Sequence, residues 1–145
     1  MQITKAETYG IFGVMHLAEQ EAGRVVPLSD IAESQDIPEK FLAKIFQNLT
    51  KTGIVRSHRG VKGGFSLIKK SADLTIREVV ESIQGPYHLI MCLPDGTRCD
   101  RSDNCMVRVV MAEAEKKLME VFESYTIADL IKWKKESSSA NKATA

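Results

Sequence analysis

The most constraining feature of this 145-residue chain is a run of short amphipathic segments followed by a glycine-rich hairpin pattern. Residues 28–35 predict a short helix, Asp36 and Ile37 predict a tight turn, and Pro38 suits the first turn of a second helix, where its missing N–H group costs nothing. Residues 54–68 then alternate apolar and polar side chains around three glycines, which predicts a β-hairpin. This order of helix, turn, helix and β-hairpin predicts a helix-turn-helix motif followed by a hairpin wing.

The second predicted helix has two different faces. One face is apolar and contains Phe41, Leu42, Ile45, Phe46 and Leu49, whereas the other is basic and rich in amides. Cations and amides are the side chains that read base edges and phosphates in a major groove, and a basic hairpin tip suits a narrow minor groove. The predicted DNA-contacting residues are Glu39, Lys40, Lys44, Gln47, Asn48, Lys51, Arg56, His58, Arg59 and Lys62.

The net charge of +1 conceals an uneven distribution along the chain. Residues 36–62 hold six lysines and arginines against two acidic residues, residues 1–35 carry an acidic excess, and the remainder is balanced. A basic stretch of this kind attracts a phosphate backbone. Taken alone, such charges also suit a solvated helix face, but their place in a helix-turn-helix and hairpin favours DNA binding.

Further helices are predicted on both sides of this unit. Thr4 with Glu7, and Thr75 with Glu78, are capping-box pairs that begin helices ending near residues 21 and 84. A helical apolar stripe between about residues 103 and 124 predicts a rod roughly 30 Å long. One small domain cannot cover a stripe of that length, so we expect it to pack against its copy in a homodimer.

All three cysteines, Cys92, Cys99 and Cys105, fall in a segment that lacks helical or strand periodicity. An irregular segment of this length is usually functional. A disulfide is disfavoured in a reducing compartment, and zinc sites usually show closely spaced cysteine pairs. Widely spaced thiolates suit an iron–sulfur cluster. A zinc site, a thiol redox switch and inert cysteines remain open at this point.

The expected fold class is mostly α with a small β-hairpin wing, a winged helix-turn-helix domain followed by a long C-terminal dimerisation helix. The expected parts are a DNA-binding domain over 1–84, a cysteine loop over 85–105, dimerisation helices over 106–133 and a disordered tail over 134–145. The sequence has no recognisable secretion leader and no apolar run long enough for a membrane span, which predicts a cytoplasmic protein. It also lacks a nucleophile–base pair or cofactor fingerprint, so no enzyme activity is expected.

These residues resemble the IscR/NsrR-type winged-helix regulators, bacterial repressors that respond to iron–sulfur clusters or nitric oxide. The resemblance extends from about residue 1 to residue 133, and its marks are Ile3–Lys5 with Tyr9, Pro27–Ala32, Phe41–Leu49, Gly53–Val55, Arg59–Phe65 and the cysteine spacing. It implies that Cys92, Cys99 and Cys105 are cluster ligands, that the second helix of the helix-turn-helix and the wing contact DNA, and that the long helix forms the dimer interface. Family members repress genes for cluster assembly, iron handling or nitric-oxide defence.

One position departs from the family pattern. The IscR branch has a histidine three residues after the last cysteine, where this chain has Arg108, which stays protonated and cannot bind a metal. The nitric-oxide-sensing branch can use an acidic residue of the other subunit at the position occupied here by Thr8. The candidates for the fourth ligand are therefore the neighbouring Glu7 from the partner, His88, or a solvent molecule or small thiol. The cluster type, 2Fe-2S or 4Fe-4S, stays open.

The function predicted from the sequence is a DNA-binding transcription regulator, expected to be a repressor. Its operator affinity would depend on an iron–sulfur cluster, so that it senses cluster or iron status, oxidative stress or nitric oxide. One alternative is the same scaffold with a metal-free thiol redox switch. Another is an iron–sulfur carrier or assembly protein that does not bind DNA, which the basic segment 36–62 argues against.

Overall fold

The computed structural model describes residues 3–94, 99–101 and 104–143, and these residues are mostly helical. The helices are α1 (Lys5–Ala18), α2 (Leu28–Gln35), α3 (Glu39–Lys51), α4 (Ile76–Gln84), α5 (Met106–Ser124) and α6 (Ile127–Ala143), and the strands are β1 (Val55–His58) and β2 (Gly64–Leu67). The strands form a two-stranded antiparallel sheet. The predicted fold class, helical with a small hairpin wing, is confirmed.

The first three helices surround one core. Ile31 of α2 and Leu42, Phe46 and Leu49 of α3 are fully buried, as the apolar face predicted for α3 requires. In α1, the backbone at Gly13 lies so close to the Phe46 ring that an added Cβ atom would collide with it. The absence of a side chain at Gly13 therefore lets α1 and α3 pack closely.

The turn between α2 and α3 has the predicted form. Asp36 caps α2 in the left-handed conformation, with a φ of 52°, and Pro38 precedes the first residue of α3. Aspartate is among the few non-glycine residues that adopt this conformation readily. The turn therefore sets the direction of α3 from local sequence alone.

The hairpin is held against the core at its second strand. Val26 and Phe65 exchange two backbone hydrogen bonds, of 2.9 and 2.8 Å, and the Phe65 ring packs edge-on to the Phe46 ring at a centroid distance of 4.9 Å. Gly64 has a φ of +156°, and its backbone lies against the Val26 carbonyl where a Cβ atom has no room. These contacts determine how the hairpin sits beside α3.

The C-terminal helices are joined to this body by a backbone crossing. Ile76 donates to the Tyr125 carbonyl and Ile127 donates to the Leu74 carbonyl, both at 2.9 Å. Residues 74–76 and 125–127 therefore run side by side, and they anchor the end of α5 and the start of α6. The predicted capping box at Thr75 and Glu78 is present and begins α4 at this crossing.

The C-terminal end corrects one prediction. The sequence pattern predicted a short helix ending near Trp133 and a disordered tail beyond it, but α6 continues to Ala143. Lysine, glutamate and alanine are good helix formers, and Ser138 and Ser139 donate their hydroxyls to backbone carbonyls one turn earlier. Lys134 also pairs at 2.9 Å with Glu19, the residue that caps the end of α1, which ties the helix to the body. Residues 144–145 of the predicted tail lie outside the described residues.

The segment between α4 and α5 contains turns but no long helix or strand where it is described. After Gly85 the chain bends at residues 86, 89 and 90 and forms a turn over residues 91–94, and Cys105 occupies the N-cap position of α5. Residues 95–98 and 102–103, which belong to the predicted cysteine loop, lie outside the described residues. None of the helices described is long and apolar enough to cross a membrane.

Candidate nucleic-acid interface and cysteine segment

The outer face of α3, called here the recognition helix, carries most of the side chains predicted to contact DNA. Leu42, Ile45, Phe46 and Leu49 are buried on the inner face. The predicted contact residues exposed on the opposite side are Glu39, Lys40, Lys44, Gln47 and Lys51. The helix therefore presents three lysines and an amide to solvent, a composition suited to phosphates and base edges.

Asn48 is the exception on this helix. It is half-buried, and its side-chain amide donates to the Ile83 carbonyl of α4 at 3.2 Å. The sequence pattern placed it on the outer face with Gln47, but its position on the helix turns it toward α4. Its amide therefore links the recognition helix to α4 instead of facing outward.

The wing, residues 55–67, adds a second basic surface. Arg56, Arg59 and Lys62 are exposed, and Val61 between the last two is fully exposed at the tip. His58 is half-buried, and its Nε2 atom lies 2.8 Å from the hydroxyl oxygen of Ser66 on the opposite strand. His58 therefore braces the hairpin below its tip, a role additional to the predicted phosphate contact.

The cations of these two surfaces are electrostatically available. Among the described residues, none of them forms an ion pair with a carboxylate. The set consists of Lys40, Lys44, Lys51, Arg56, Arg59 and Lys62. Unpaired surface cations of this kind attract a polyanion and release its counterions on binding.

The three cysteines are free thiols, but they differ in exposure. Cys92 and Cys105 are half-buried, whereas Cys99 is exposed. Within the described ranges, no three histidine, cysteine or acidic side chains come together as a group that could hold a metal ion. The donor chemistry nonetheless suits iron, because soft thiolate sulfur is the ligand that iron–sulfur clusters use.

The two side chains predicted as candidates for the fourth ligand are both engaged elsewhere. Glu7 is completely buried, and its Oε2 atom accepts from the backbone N–H of Thr4 at 2.9 Å and from the Thr4 hydroxyl. His88 Nδ1 lies 3.1 Å from Glu115 Oε1 on α5. Either side chain would have to leave these partners before it could bind a metal.

The end of α4 and the start of the cysteine segment form a junction between α1 and α5, which we define as residues 84–89. On one side, Gln84 donates its side-chain amide to the Thr4 hydroxyl at 3.2 Å. On the other side, the backbone N–H of Leu89 donates to Glu115 Oε2 at 2.8 Å, so that Glu115 holds both His88 and Leu89. The junction therefore contacts the DNA-binding body and the long helix together.

Tyr87 lies in the middle of the junction and is buried. Burial, together with the nearby charge of Glu7, raises the pKa of the Tyr87 hydroxyl above its ordinary value. Neither Tyr87 nor Glu115 was among the residues predicted from the sequence. Local patterns give no signal for them, because Glu115 is one of several acidic residues on α5 and its partners lie more than twenty positions away.

Helix α5 leaves most of its apolar side chains exposed. Met119 is its one buried residue among those described, at the level of α4. The exposed apolar side chains of this helix are Met106, Val107, Val109, Val110 and Val121. Arg108, at the position of the family's ligating histidine, is half-buried and lines a cavity together with Cys105 and Leu93.

Comparisons with known proteins agree with this architecture. The Rrf2 family model, described as "Iron-dependent Transcriptional regulator", matches residues 3–133. A helix-turn-helix-type transcriptional regulator from Aquifex aeolicus is 35% identical over 125 residues, which cover 85% of this chain and 86% of the relative. The match therefore includes the winged body, the cysteine segment and α5.

Two solved structures have the same fold over nearly the whole chain. IscR from T. potens is 25% identical, with a TM-score of 0.74 over 94% of this chain and 90% of that one. CymR, described as the global cysteine regulator of B. subtilis, is 23% identical, with a TM-score of 0.73 over 92% of this chain and 98% of that one. The similarity to CymR shows the fold alone.

Proposed function

Because the chain belongs to the Rrf2 family of iron-dependent transcriptional regulators, we propose that its recognition helix and wing bind operator DNA and that its three cysteines control this binding. The observation that carries the proposal is that unpaired cations on α3 and the wing occur in the same chain as three free thiols. A carrier of iron–sulfur clusters has no need of a recognition helix. Because its partner is genomic DNA, the protein acts in the cytoplasm. Its proposed action there is repression of transcription.

The DNA contacts divide into two classes. Lys40, Lys44 and Lys51 contact phosphates beside the major groove, while Gln47 is placed to reach a base edge between them. Arg59 and Lys62 at the wing tip contact the neighbouring minor groove. Glu39, at the start of α3, discriminates by accepting from a base amino group, and Arg56 and His58 support the wing contact.

A second copy of the chain completes the regulator. An apolar surface next to Cys105 is formed by the exposed Met106, Val107, Val109 and Val110 on the first half of α5, and contact with the same surface of another copy removes it from water. Two copies place two recognition helices on successive half-sites of an operator. The proposed homodimer therefore explains both the exposed face of α5 and how two recognition helices bind one operator.

Cys92, Cys99 and Cys105 would hold an iron–sulfur cluster, of the 2Fe-2S or the 4Fe-4S type. When bound, such a cluster supplies a centre that reacts with oxidants and nitric oxide and depends on iron supply. The protein's own contribution is mechanical: holding three thiolates together restrains the segment that joins the winged body to α5. Releasing them frees this segment and alters the spacing of the two recognition helices, and a change of about 1.4 kcal/mol already alters operator affinity tenfold.

The DNA contacts are tested by salt dependence. A duplex selected by the protein from a random-sequence library serves as the probe. Lys44→Ala and Arg59→Ala should each weaken binding and reduce the slope of log affinity against log salt by about 0.9. Lys117→Ala on α5 removes an exposed lysine far from α3 and should leave both quantities unchanged. Unchanged binding in the first two variants at moderate salt would refute the assignment.

The cluster is tested by absorption spectroscopy, with iron and sulfide assays, on protein purified without oxygen. Wild type should be brown and show charge-transfer bands. Cys92→Ala should abolish these bands, whereas Met91→Ala, at the exposed neighbouring residue, should leave them intact. A colourless wild type that stays colourless after reconstitution would favour the second candidate, a metal-free thiol switch. The exposure of Cys99 and the separation of the three thiols are the observations that support this alternative.

A further inference from the structure

Two buried polar atoms in the described part of the chain lack hydrogen-bond partners, and they belong to the same neighbourhood. They are Oε1 of Glu7 and the hydroxyl oxygen of Tyr87. The charge of Glu7 acts on the Tyr87 hydroxyl, so the two groups face the same small region of the interior. A buried polar atom without a partner costs about 1–3 kcal/mol, which makes a hydrogen-bonding relation between these two groups strongly favourable.

Each group is attached to a different part of the molecule. Glu7 belongs to the first turn of α1, whose next turns pack against α3 at Gly13 and Phe46. Tyr87 belongs to the junction, five residues before Cys92 in the sequence. A bond between them therefore connects the start of the cysteine segment to the helix that supports the recognition helix.

The opposite side of the junction has a matching anchor. Glu115 of α5 accepts from the Leu89 backbone and contacts His88, and its side chain is 18% exposed. Glu115 thus holds the two residues that follow Tyr87. With the Glu7–Tyr87 tie proposed below, a displacement of Cys92 would reach both the DNA-binding body and the long helix.

We propose that Glu7 is a positioning residue that binds the Tyr87 hydroxyl through one internal water, since the two groups make no direct hydrogen bond, and so ties the cysteine segment to α1. In this role Glu7 is not a cluster ligand. One carboxylate oxygen completes the helix cap at Thr4, and the other accepts from the water that Tyr87 also contacts. The link between this bond and DNA binding rests on the proposed function, whereas the bond itself does not.

The bond is tested first on metal-free, reduced protein, by a double-mutant cycle of unfolding in urea. Tyr87→Phe should lower the folding equilibrium constant roughly fivefold, and Glu7→Leu should lower it further because it also removes the cap at Thr4. The double variant should be little worse than Glu7→Leu alone, because both substitutions remove the same tie between the two residues. Tyr125→Phe, at an exposed residue between α5 and α6, is the control and should have no effect. Additive effects of the two substitutions would overturn the proposal.

Amide hydrogen exchange provides a second readout that does not need a stable Glu7 variant. Tyr87→Phe should accelerate exchange of the junction amides, residues 87–89, and leave the amides of β1 and β2 unchanged. Uniform acceleration over the whole chain would indicate a general loss of stability and would count against a local tie. Unchanged exchange at the junction would also contradict the proposal.

The role of Glu7 toward the cluster is tested by absorption spectra after anaerobic reconstitution with iron and sulfide. Glu7→Gln should keep the bands and iron content that Cys92→Ala loses. Tyr87→Phe, which removes the bond, should reduce the ratio between the DNA affinities of the loaded and metal-free forms. Loss of the bands in Glu7→Gln but not in Tyr87→Phe would assign Glu7 as a ligand and overturn the proposal. If wild type binds no cluster, the proposed function fails, and the unfolding cycle still decides whether the bond exists.

Discussion

The winged body and helix α5 use their apolar side chains in opposite ways. In the body, each helix buries a face, and Val14, Ile31, Phe46 and Val79 are completely inaccessible to water. Helix α5 is longer than any of these helices, yet it buries Met119 alone among its described residues. The comparison teaches that the body is stabilised by its own core, whereas α5 leaves most of its apolar side chains exposed, as the proposed contact with a second copy requires.

The junction, residues 84–89, connects the winged body to α5 and contacts both. Tyr87 is buried in the core, but the junction is also held at both ends by polar contacts, through Thr4 and Glu115. Polar contacts depend on direction and distance, so they respond to small displacements more sharply than apolar packing does. A segment held in this way can transmit the state of the cysteines without disturbing either neighbour's fold.

The largest expected effect comes from breaking the core of the body. Phe46→Ala removes a fully buried ring that packs against Phe65 and Gly13, and it should lower the free energy of unfolding by about 3–5 kcal/mol. Urea denaturation followed by circular dichroism measures this change. The control is Phe12→Ala at an exposed position of α1, which should cost far less. Equal losses in the two variants would contradict the division between core and surface.

A smaller effect is expected on α5, and it should concern association rather than folding. Val110→Asp places a charge in the exposed apolar surface, so it should raise the dimer dissociation constant by at least about tenfold. The urea midpoint, measured at a concentration where wild type is monomeric, should not change. Sedimentation equilibrium measures the dimer dissociation constant. Glu113→Asp, a conservative change on the same helix, serves as the control, and a dimer unaffected by Val110→Asp would remove α5 from the interface.

The smallest effect concerns the cap of α4, near the boundary between the two regions. Burial opposes ionisation of Glu78, but the Lys69 ammonium and the hydrogen bonds from Thr75 outweigh it and hold the pKa of Glu78 below its ordinary value of 4.5. Because the folded-state pKa is lowered, the stabilisation is complete above pH 4.5 and is lost as the pH falls through the lowered pKa.

The measurement is the urea midpoint as a function of pH in wild type and Glu78→Gln. The Glu78 side chain is partly exposed, so the free energies of unfolding of the two proteins at neutral pH should differ by less than about 1 kcal/mol. That difference should shrink as the solution is acidified. Glu136→Gln on the exposed end of α6 provides the reference, and a pH-independent difference in Glu78→Gln would show that the carboxylate charge is not involved.

Much of the architecture could be predicted because it follows from local chemistry. The capping box at Thr75, the left-handed turn at Asp36 and the glycine-rich hairpin each depend on residues within a few positions of one another. The extension of α6 was missed because serine and asparagine are common in disordered tails. The packing of α6 on α1, with the Lys134–Glu19 ion pair, and the backbone crossing at residues 125–127 anchor that helix, and both form only in the tertiary structure.

The sequence by itself determined the helical winged architecture, the basic composition of α3 and the wing, and the grouping of the three cysteines. Tertiary structure alone decided that Asn48 turns toward α4, that Glu7 and Tyr87 are buried, and that Glu115 holds the start of the cysteine segment. The reason is the range of the forces involved. Backbone sterics and side-chain periodicity act between near neighbours in sequence, whereas these three arrangements arise only after distant helices have packed together.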